Sequence, residues 1–340
     1  MTAARGALAE ALARAPRARL ATLPTPLERG PELPGGARLW VKRDDLTGLG
    51  MGGNKVRKLE RLCGAALADG ADVLVTVGAA QSNHCRQAAA AGAVLGLPVH
   101  LVLGGQPPPS VEGNQALSVL FGAELHFAGS TRWDELEAAA GRLAEDLRAQ
   151  GRRPAVIPIG GSTPIGAVGF AEAWAELLAQ CDDAGIAPAA VVHATSSGGT
   201  HAGLLAGRAA LLAEGSPGPA VVAVAVAPGV AGDPGLPLAL ARGCLASLDL
   251  DPGLVTASQV ELETGALGPG NAVPTPAADA AIRWAARAGG WVLDRTYTGK
   301  GLAGLLALAA TGRWGPGDHV VFWHTGGQPA VFARAGLPPA

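Results

Sequence analysis

The sequence predicts an α/β fold with two domains, each built on a parallel sheet. The chain has 340 residues, 49% of them hydrophobic, which is enough for two packed domains and argues against disorder. Strand-like stretches alternate with helix-like stretches along most of the chain, a pattern typical of βαβ units. Glycine-rich and polar clusters follow several of the strands, where open α/β sheets bind their ligands.

Short apolar runs predict the strands, and apolar positions at helical spacing predict the helices between them. The predicted strands cover 38–42, 73–77, 99–103, 124–127, 155–159, 190–194, 220–227, 290–293 and 319–323. Helices are predicted from the 78–82 loop through Leu95, over 133–149, and from Thr200. No element is predicted in 229–276, which is rich in Gly and Pro.

Composition excludes several classes of protein. A net charge of -2 argues against a nucleic-acid surface, which needs a basic face. The four cysteines stand far apart, without a CxxC pair, and the seven histidines lack ligand spacing, so no metal site is predicted and a reducing, cytoplasmic setting is favoured. No apolar run reaches the length of a membrane span, and an Arg/Ala-rich first segment is interpreted as a surface helix rather than a transit peptide.

Lysine is scarce, which draws attention to Lys55. Only four lysines occur, and arginine supplies the rest of the positive side-chain charge. Arginine can replace lysine in ion pairs but not as an amine nucleophile. Lys55 follows Gly-Gly-Asn and opens an apolar-periodic segment, so it is predicted at a helix N-terminus, where the helix dipole favours the neutral amine. This setting suits a lysine that forms a Schiff base.

Five polar or glycine-rich clusters follow predicted strands or turns and are expected to converge on one cleft. They are 80–84, 160–163, 196–200, 296–300 and 324–327. Within them, Ser197-Gly198-Gly199-Thr200 opens a helix and favours a phosphate over an ordinary capped turn. Because no GxxxxGK[ST] motif occurs, the ligand is expected to be a phosphate monoester or cofactor rather than ATP.

Three further features each allow two interpretations. Gly48–Gly53 matches GxGxxG, but it does not directly follow a strand, so a nicotinamide-dependent dehydrogenase is only weakly supported. Ser82 and Asn83 are either helix caps or ligand-binding groups. Tyr297, the single tyrosine, either packs in the core or faces the cleft.

With these motifs the chain resembles the pyridoxal-phosphate enzymes of the tryptophan-synthase-β-like fold (fold type II), in the group of 1-aminocyclopropane-1-carboxylate deaminase and D-cysteine desulfhydrase. The resemblance covers residues 23–332, and its most specific segments are 42–45, 52–60, 81–87, 296–300 and 324–327. It implies a homodimer and two α/β domains with the cofactor in the cleft between them. The small domain (56–165) would be inserted into the large one (1–55 and 166–340).

The resemblance also implies a role for each site residue. Lys55 would be the Schiff-base lysine, Asn83 would bond the pyridoxal 3′-oxygen, and Ser82 and Tyr297 would lie beside a small amino-acid substrate. The phosphate would be held by Ser197, Gly198, Gly199 and Thr200, with Lys58 close by.

Thr298 and Thr325 are expected to contact the cofactor and to favour the desulfhydrase branch over the deaminase branch, which has Glu and Leu there. A threonine beside the pyridine nitrogen would leave it neutral and the electron sink weaker, which suits the loss of a thiol. The expected reaction is α,β-elimination on D-cysteine, giving pyruvate, sulfide and ammonia. L-cysteate and 1-aminocyclopropane-1-carboxylate are the alternative substrates.

Overall fold

Two β-sheets organise the chain in the computed structural model, which describes residues 6–216, 218–270 and 272–333. The larger sheet has the order β1-β2-β10-β7-β8-β9, and the smaller has the order β5-β4-β3-β6. The smaller sheet is parallel throughout, and in the larger sheet only edge strand β1 runs antiparallel to its neighbour within these residues. The strands are β1 (Leu27–Glu32), β2 (Arg38–Lys42), β3 (Val73–Gly78), β4 (Val99–Leu103), β5 (Glu124–Phe127), β6 (Pro154–Ile157), β7 (Pro188–Thr195), β8 (Ala220–Ala225), β9 (Glu261–Glu263) and β10 (His319–Trp323).

Helices cover both faces of each sheet, as parallel sheets require. They are α1 (Ala7–Arg14), α2 (Lys55–Ala68), α3 (Asn83–Leu95), α4 (Gly113–Leu120), α5 (Trp133–Ala149), α6 (Pro164–Asp183), α7 (Gly199–Ala213), α8 (Pro228–Gly232), α9 (Leu236–Ser247), α10 (Pro276–Gly289) and α11 (Thr298–Ala310). On the larger sheet, α1, α6, α7 and α9 pack on one face, and α10 and α11 pack on the other. On the smaller sheet, α2 and α3 pack on one face and α5 on the other.

The central strands show why their sequences are apolar without alternation. In β10, Val321 and Trp323 join the core under α6 and α7, whereas Val320 and Phe322 join the core under α10 and α11. Successive strand residues point to opposite faces, so a strand covered on both faces needs apolar residues at every position.

Most of the predicted strands are present, and the one at 290–293 is wrong. Strands over 99–103, 124–127 and 319–323 have the predicted bounds, and the 155–159 strand lies instead at Pro154–Ile157. The 290–293 segment pairs with no described strand, because Gly290 ends α10 in the left-handed conformation and the apolar side chains that follow, Trp291 and Leu293, fill the core without entering a ladder. The 229–276 stretch contains α8, α9 and β9.

All four strands of the smaller sheet lie between β2 and β7 in the chain. This order is compatible with a small domain inserted into a larger one. The boundaries at residues 56 and 165 stay a prediction, because α2 packs against α6 as well as against α3.

Candidate active site

A cavity lies where the five polar clusters meet, and each cluster contributes residues to its wall. The expected convergence on one cleft is therefore confirmed. The loops after β3, β7 and β10 supply much of the wall, as the carboxyl ends of parallel strands commonly do. Among the predicted site residues, the wall includes Lys55, Lys58, Ser82, Asn83, Ser197, Gly198, Thr200, Tyr297 and Thr325.

Lys55 is the first residue of α2, and its amine is buried in the cavity wall. Burial lowers the pKa of Lys55 from 10.5 to about 8. At neutral pH a much larger fraction of this amine is therefore neutral than for an exposed lysine. The predicted position at a helix N-terminus is confirmed.

Lys58 lies one helical turn beyond Lys55 and faces the same cavity. Its Nζ donates to the Gly160 carbonyl oxygen and to Ser162 Oγ, both at 3.1 Å. Burial, and then the charge of Lys55, lower the pKa of Lys58 well below its usual value. Neither amine forms an ion pair with a carboxylate within the described residues, so an anion in this cavity would supply the missing countercharge.

The loop before α7 is shaped to hold that anion. Gly198 adopts the left-handed conformation (φ 83°) and the helix begins at Gly199. A Cβ on Gly199 would lie 2.7 Å from Lys58 Nζ, so a larger residue would displace the ammonium from the loop. Ser162 Oγ, 2.7 Å from Ser197 Oγ, also accepts the Gly199 N–H, which ties the 160–163 cluster to this loop. A helix N-terminus with glycine and hydroxyl residues beside an ammonium favours a phosphate.

Asn83 is held in one orientation by a residue far away in the sequence. Asn114 Nδ2 donates to Asn83 Oδ1 at 3.0 Å, and Asn114 Oδ1 accepts from Arg86 Nε at 2.7 Å. With its carbonyl oxygen engaged, Asn83 presents its amide N–H groups as donors on the cavity wall. This geometry fits an oxygen acceptor on the ligand.

Ser82 and Tyr297 line the same wall. Ser82 lies in the loop after β3 of the smaller sheet, and Tyr297 directly precedes α11, which packs on the larger sheet. Ser82 Oγ accepts the Cys85 N–H as the N-cap of α3, and its hydroxyl also lies within hydrogen-bond reach of the Cys85 thiol. Burial, and then the negative charge of Asp294, raise the pKa of Tyr297, so its hydroxyl stays protonated at neutral pH. For Ser82, capping and access to the cavity prove compatible.

The Gly48–Gly53 loop precedes Lys55 and is fixed by side chains of α3. Arg86 donates to the carbonyl oxygens of Gly50 and Gly52, and Gln87 Nε2 donates to that of Gly52 at 2.8 Å. In this loop the glycine carbonyl oxygens accept hydrogen bonds from side chains of α3. In the dinucleotide fingerprint, by contrast, the glycines let the backbone approach a pyrophosphate, which a helix N-terminus binds.

Comparison with known proteins decides between the cofactors. The family model described as "Pyridoxal-phosphate dependent enzyme" matches residues 18–326. This chain belongs to that family. The enzyme is 38% identical over 329 residues to a D-cysteine desulfhydrase of Salmonella typhi, covering 95% of this chain and 97% of that relative. It is 40% identical, over the same shares, to a D-cysteine desulfhydrase of Klebsiella pneumoniae.

A solved structure described as an ACC deaminase homologue superposes with a TM-score of 0.84 at 35% identity and covers 96% of each chain. These matches establish fold type II and dependence on pyridoxal phosphate, and they replace the dehydrogenase interpretation of Gly48–Gly53. The buried amines and the glycine loop fit that cofactor, because they offer an amine for its aldehyde and a cradle for its phosphate.

Two predicted cofactor contacts lie outside the cavity wall. Gly199 does not line the wall, and its N–H donates to Ser162 Oγ. Thr298 is buried; its hydroxyl donates to Asp294 Oδ1 at 2.7 Å, and the Asp294 N–H donates back to it. In this enzyme Thr298 therefore fixes the start of α11, and of Thr298 and Thr325 it is Thr325 that lines the wall.

Sequence reasoning missed several residues that shape the site. Asp294 accepts the backbone N–H groups of Thr296, Tyr297 and Thr298 and so positions the tyrosine. Asn114 and Trp133 belong to segments without a motif, and no signal in their sequence marks them. Asn54 is the asparagine of the Gly-Gly-Asn sequence before Lys55, and its Nδ2 donates to Thr200 Oγ1 at 3.0 Å, which joins this loop to the start of α7.

Proposed function

We propose that this enzyme catalyses α,β-elimination on a small β-substituted amino acid, with D-cysteine as substrate and pyruvate, sulfide and ammonia as products. The observation that carries the proposal is the buried Lys55 amine in a cavity that also contains a phosphate-type cradle and Lys58. The choice of D-cysteine is supported by the near-full-length similarity to D-cysteine desulfhydrases.

The site residues divide the work between holding and proton transfer. Bound pyridoxal phosphate supplies the electron sink for the pair left when the Cα proton is removed. The 197–200 loop and Lys58 would hold the phosphate, and Asn83 would donate to the ring 3′-oxygen. Lys55 would hold the cofactor aldehyde, and its amine would be the base for the Cα proton.

Ser82 and Tyr297 orient the substrate and serve the proton path. Ser82 can donate to the substrate carboxylate, since its Oγ already accepts the Cys85 N–H. The Tyr297 hydroxyl, kept protonated by burial and by the charge of Asp294, can donate a proton toward the leaving sulfur.

We also propose a cytoplasmic homodimer with the domain division at 56 and 165. The four cysteines are free and buried, which supports a reducing compartment. Within the described residues, no helix is both long and apolar enough to cross a membrane. Leu120 and Phe332, on neighbouring elements, are 76% and 73% exposed, which supports a covered apolar face in a dimer.

The Lys55→Ala variant tests the core of the proposal. It should lose the Schiff-base absorption band and at least about 10²-fold in lyase rate, since positioned proton transfer alone contributes 10²–10⁴-fold. Lys300→Met is the matched control, because Lys300 Nζ donates to the carbonyl oxygens of Leu267 and Gly270 away from the cavity wall. Full activity and an intact band in Lys55→Ala would refute the assignment.

A substrate panel tests the specificity. D- and L-cysteine, L-cysteate, D- and L-β-chloroalanine and 1-aminocyclopropane-1-carboxylate are assayed for 2-oxo acid release by the holoenzyme. The highest kcat/KM is expected for D-cysteine. A preference for L-cysteate or for the cyclopropane amino acid would replace the proposed substrate and leave the family membership unchanged.

A further inference from the structure

A cluster of two imidazoles and a carboxylate lies on the smaller sheet, at the amino ends of two strands. His100 Nδ1 is 3.0 Å from His126 Nε2. Glu124 Oε2 is 3.4 Å from His100 Nδ1, and Glu124 Oε1 is 3.4 Å from His126 Nε2. The cluster is not part of the cavity described above, whose wall comes from the loops at the opposite, carboxyl ends of the strands.

Strand register explains why residues 24 positions apart in the chain meet. His100 in β4 lies beside Glu124 in β5, and Val102 lies beside His126. Residues side by side in neighbouring strands share a face, and so do residues two apart in one strand. The three polar side chains therefore project together from one face of the β4–β5 pair.

We propose that His100, Glu124 and His126 form a site for a divalent cation of the zinc type. Zinc takes imidazole nitrogen and carboxylate oxygen at about 2.0–2.2 Å in tetrahedral geometry, which places neighbouring ligand atoms about 3.3–3.5 Å apart. The two imidazole nitrogens are 3.0 Å apart, and each lies 3.4 Å from a different oxygen of Glu124. One ligand atom from each residue can be taken so that all three lie within 4.8 Å of one another, close enough for one ion to draw them together. Glu124 is 64% exposed, so the fourth position opens to solvent and takes water.

The charges around the cluster are compatible with a cation. Glu124 brings a negatively charged carboxylate to the two imidazoles, and an imidazole ligates a metal ion through a neutral ring nitrogen. Arg152 is a cation near the cluster, and Asp72 engages its guanidinium. Arg152 Nε lies 3.4 Å from Asp72 Oδ1, and Arg152 Nη2 donates to the Asp72 carbonyl oxygen.

The position of the site defines its role. β5 is an edge strand of the smaller sheet, and its pairing partner is β4. A cation held by residues of both strands cross-links that edge, which resists fraying and strand slippage. The site is therefore structural, and elimination chemistry does not depend on it directly.

Metal binding to the holoenzyme tests the proposal without any assay of activity. Metal-free holoenzyme is titrated with Co²⁺, followed by its visible d–d absorption, and then with competing Zn²⁺, in the absence of amino acids. One equivalent is expected to bind with a tetrahedral-type spectrum, and Zn²⁺ is expected to displace it and to raise Tm. His100→Gln/His126→Gln should lower the affinity by at least about 100-fold, given that even outer-shell partners contribute 10–100-fold.

His319→Gln is the matched control, because His319 is a partly buried histidine at the start of β10 in the larger sheet and accepts a hydrogen bond from Trp40. It should bind Co²⁺ like the unaltered enzyme. Two results would overturn the proposal: Co²⁺ affinity that is unchanged in the double variant, or no binding by the unaltered enzyme up to millimolar metal. In the second case the imidazoles form a hydrogen-bonded pair only. Zinc-dependent association of two copies would equally overturn a site built within one chain.

Discussion

The four lysines occupy two kinds of environment. Lys42 is fully buried and bonds to Glu176, to Gln180 and to the Thr25 carbonyl oxygen. Lys300 bonds to two backbone carbonyl oxygens. Lys55 and Lys58 face the cavity without a carboxylate partner in the described part of the chain. Scarcity alone therefore does not single out the proposed Schiff-base lysine; the glycine loop before Lys55 and the helix start do.

The lowered pKa of Lys55 predicts how cofactor capture depends on pH. Only the neutral amine attacks an aldehyde, and burial sets the pKa of Lys55 at about 8. The rate at which apoenzyme captures pyridoxal phosphate should therefore rise with pH and level off above about pH 8–9, whereas a free lysine titrates near 10.4. Stopped-flow absorbance across pH 6–10, with n-butylamine in the same buffers as control, measures this. A rate that rises until pH 10, as with butylamine, would contradict it.

At the scale of elements, the loop before α2 and the first turns of α3 hold each other. Arg86 and Gln87 follow Ser82 and Asn83 on α3, and their side chains bind the carbonyl oxygens of the 50–52 segment. The same helix thus presents two residues to the cavity and uses two others to fix the loop that precedes Lys55. This explains physically why the two motifs occur together in one chain.

Gly52 and Gly96 provide a matched pair of substitutions on these elements. Both are left-handed, at φ 72° and 71°, so alanine should cost about 1–2 kcal/mol at either position. A Cβ at Gly52 would also lie 1.9 Å from the Asp45 carbonyl oxygen, whereas a Cβ at Gly96 would have no atom within 4 Å. Gly52→Ala should therefore cost at least about 2 kcal/mol more in the free energy of unfolding, measured with urea, and should weaken cofactor retention. Equal losses would show that the loop adapts.

What the sequence predicts well is what local pattern controls. The runs at 99–103 and 319–323 are buried strands because neighbouring strands and helices cover both of their faces. The 290–293 run is also rich in apolar residues, but its side chains fill a core and its backbone pairs with no described strand. That outcome depends on how α10 ends at Gly290. Thr298 follows the same rule: its place next to Tyr297 in sequence gave no sign that Asp294 would engage its hydroxyl.

At the scale of the whole molecule, a buried network of charged side chains joins the helix that carries Lys55 to α6 and to the larger sheet. Arg57 in α2 bonds to Asp44 at 2.9 Å and to Glu176 of α6 at 3.0 Å. Lys42, at the end of β2, bonds to the same Glu176. The helix that carries Lys55 is thereby fixed to the larger sheet and to α6. Removing one member of such a network leaves the others buried with charge uncompensated.

This network predicts how the protein unfolds in acid. Burial opposes ionisation of Glu176, yet Arg57 and Lys42 outweigh it and lower its pKa from 4.5 to about 2. A carboxyl with a lowered native pKa stabilises the fold above its unfolded value, near 4.3, and this contribution, about 3 kcal/mol, is lost as pH falls toward 2. Glu176→Gln should therefore lower the unfolding free energy at pH 7 by about that amount and flatten its slope between about pH 4.5 and 2.

Glu172→Gln is the control. Glu172 lies one turn earlier in α6, is 27% exposed, and pairs with Arg17 and Arg61. Because solvent screens a carboxylate exposed to this extent, its acid profile should stay closer to that of the unaltered protein than the profile of Glu176→Gln does. Identical slopes for the two variants, in urea unfolding at stepped pH, would show that acid stability lies outside the network that fixes the Lys55 helix.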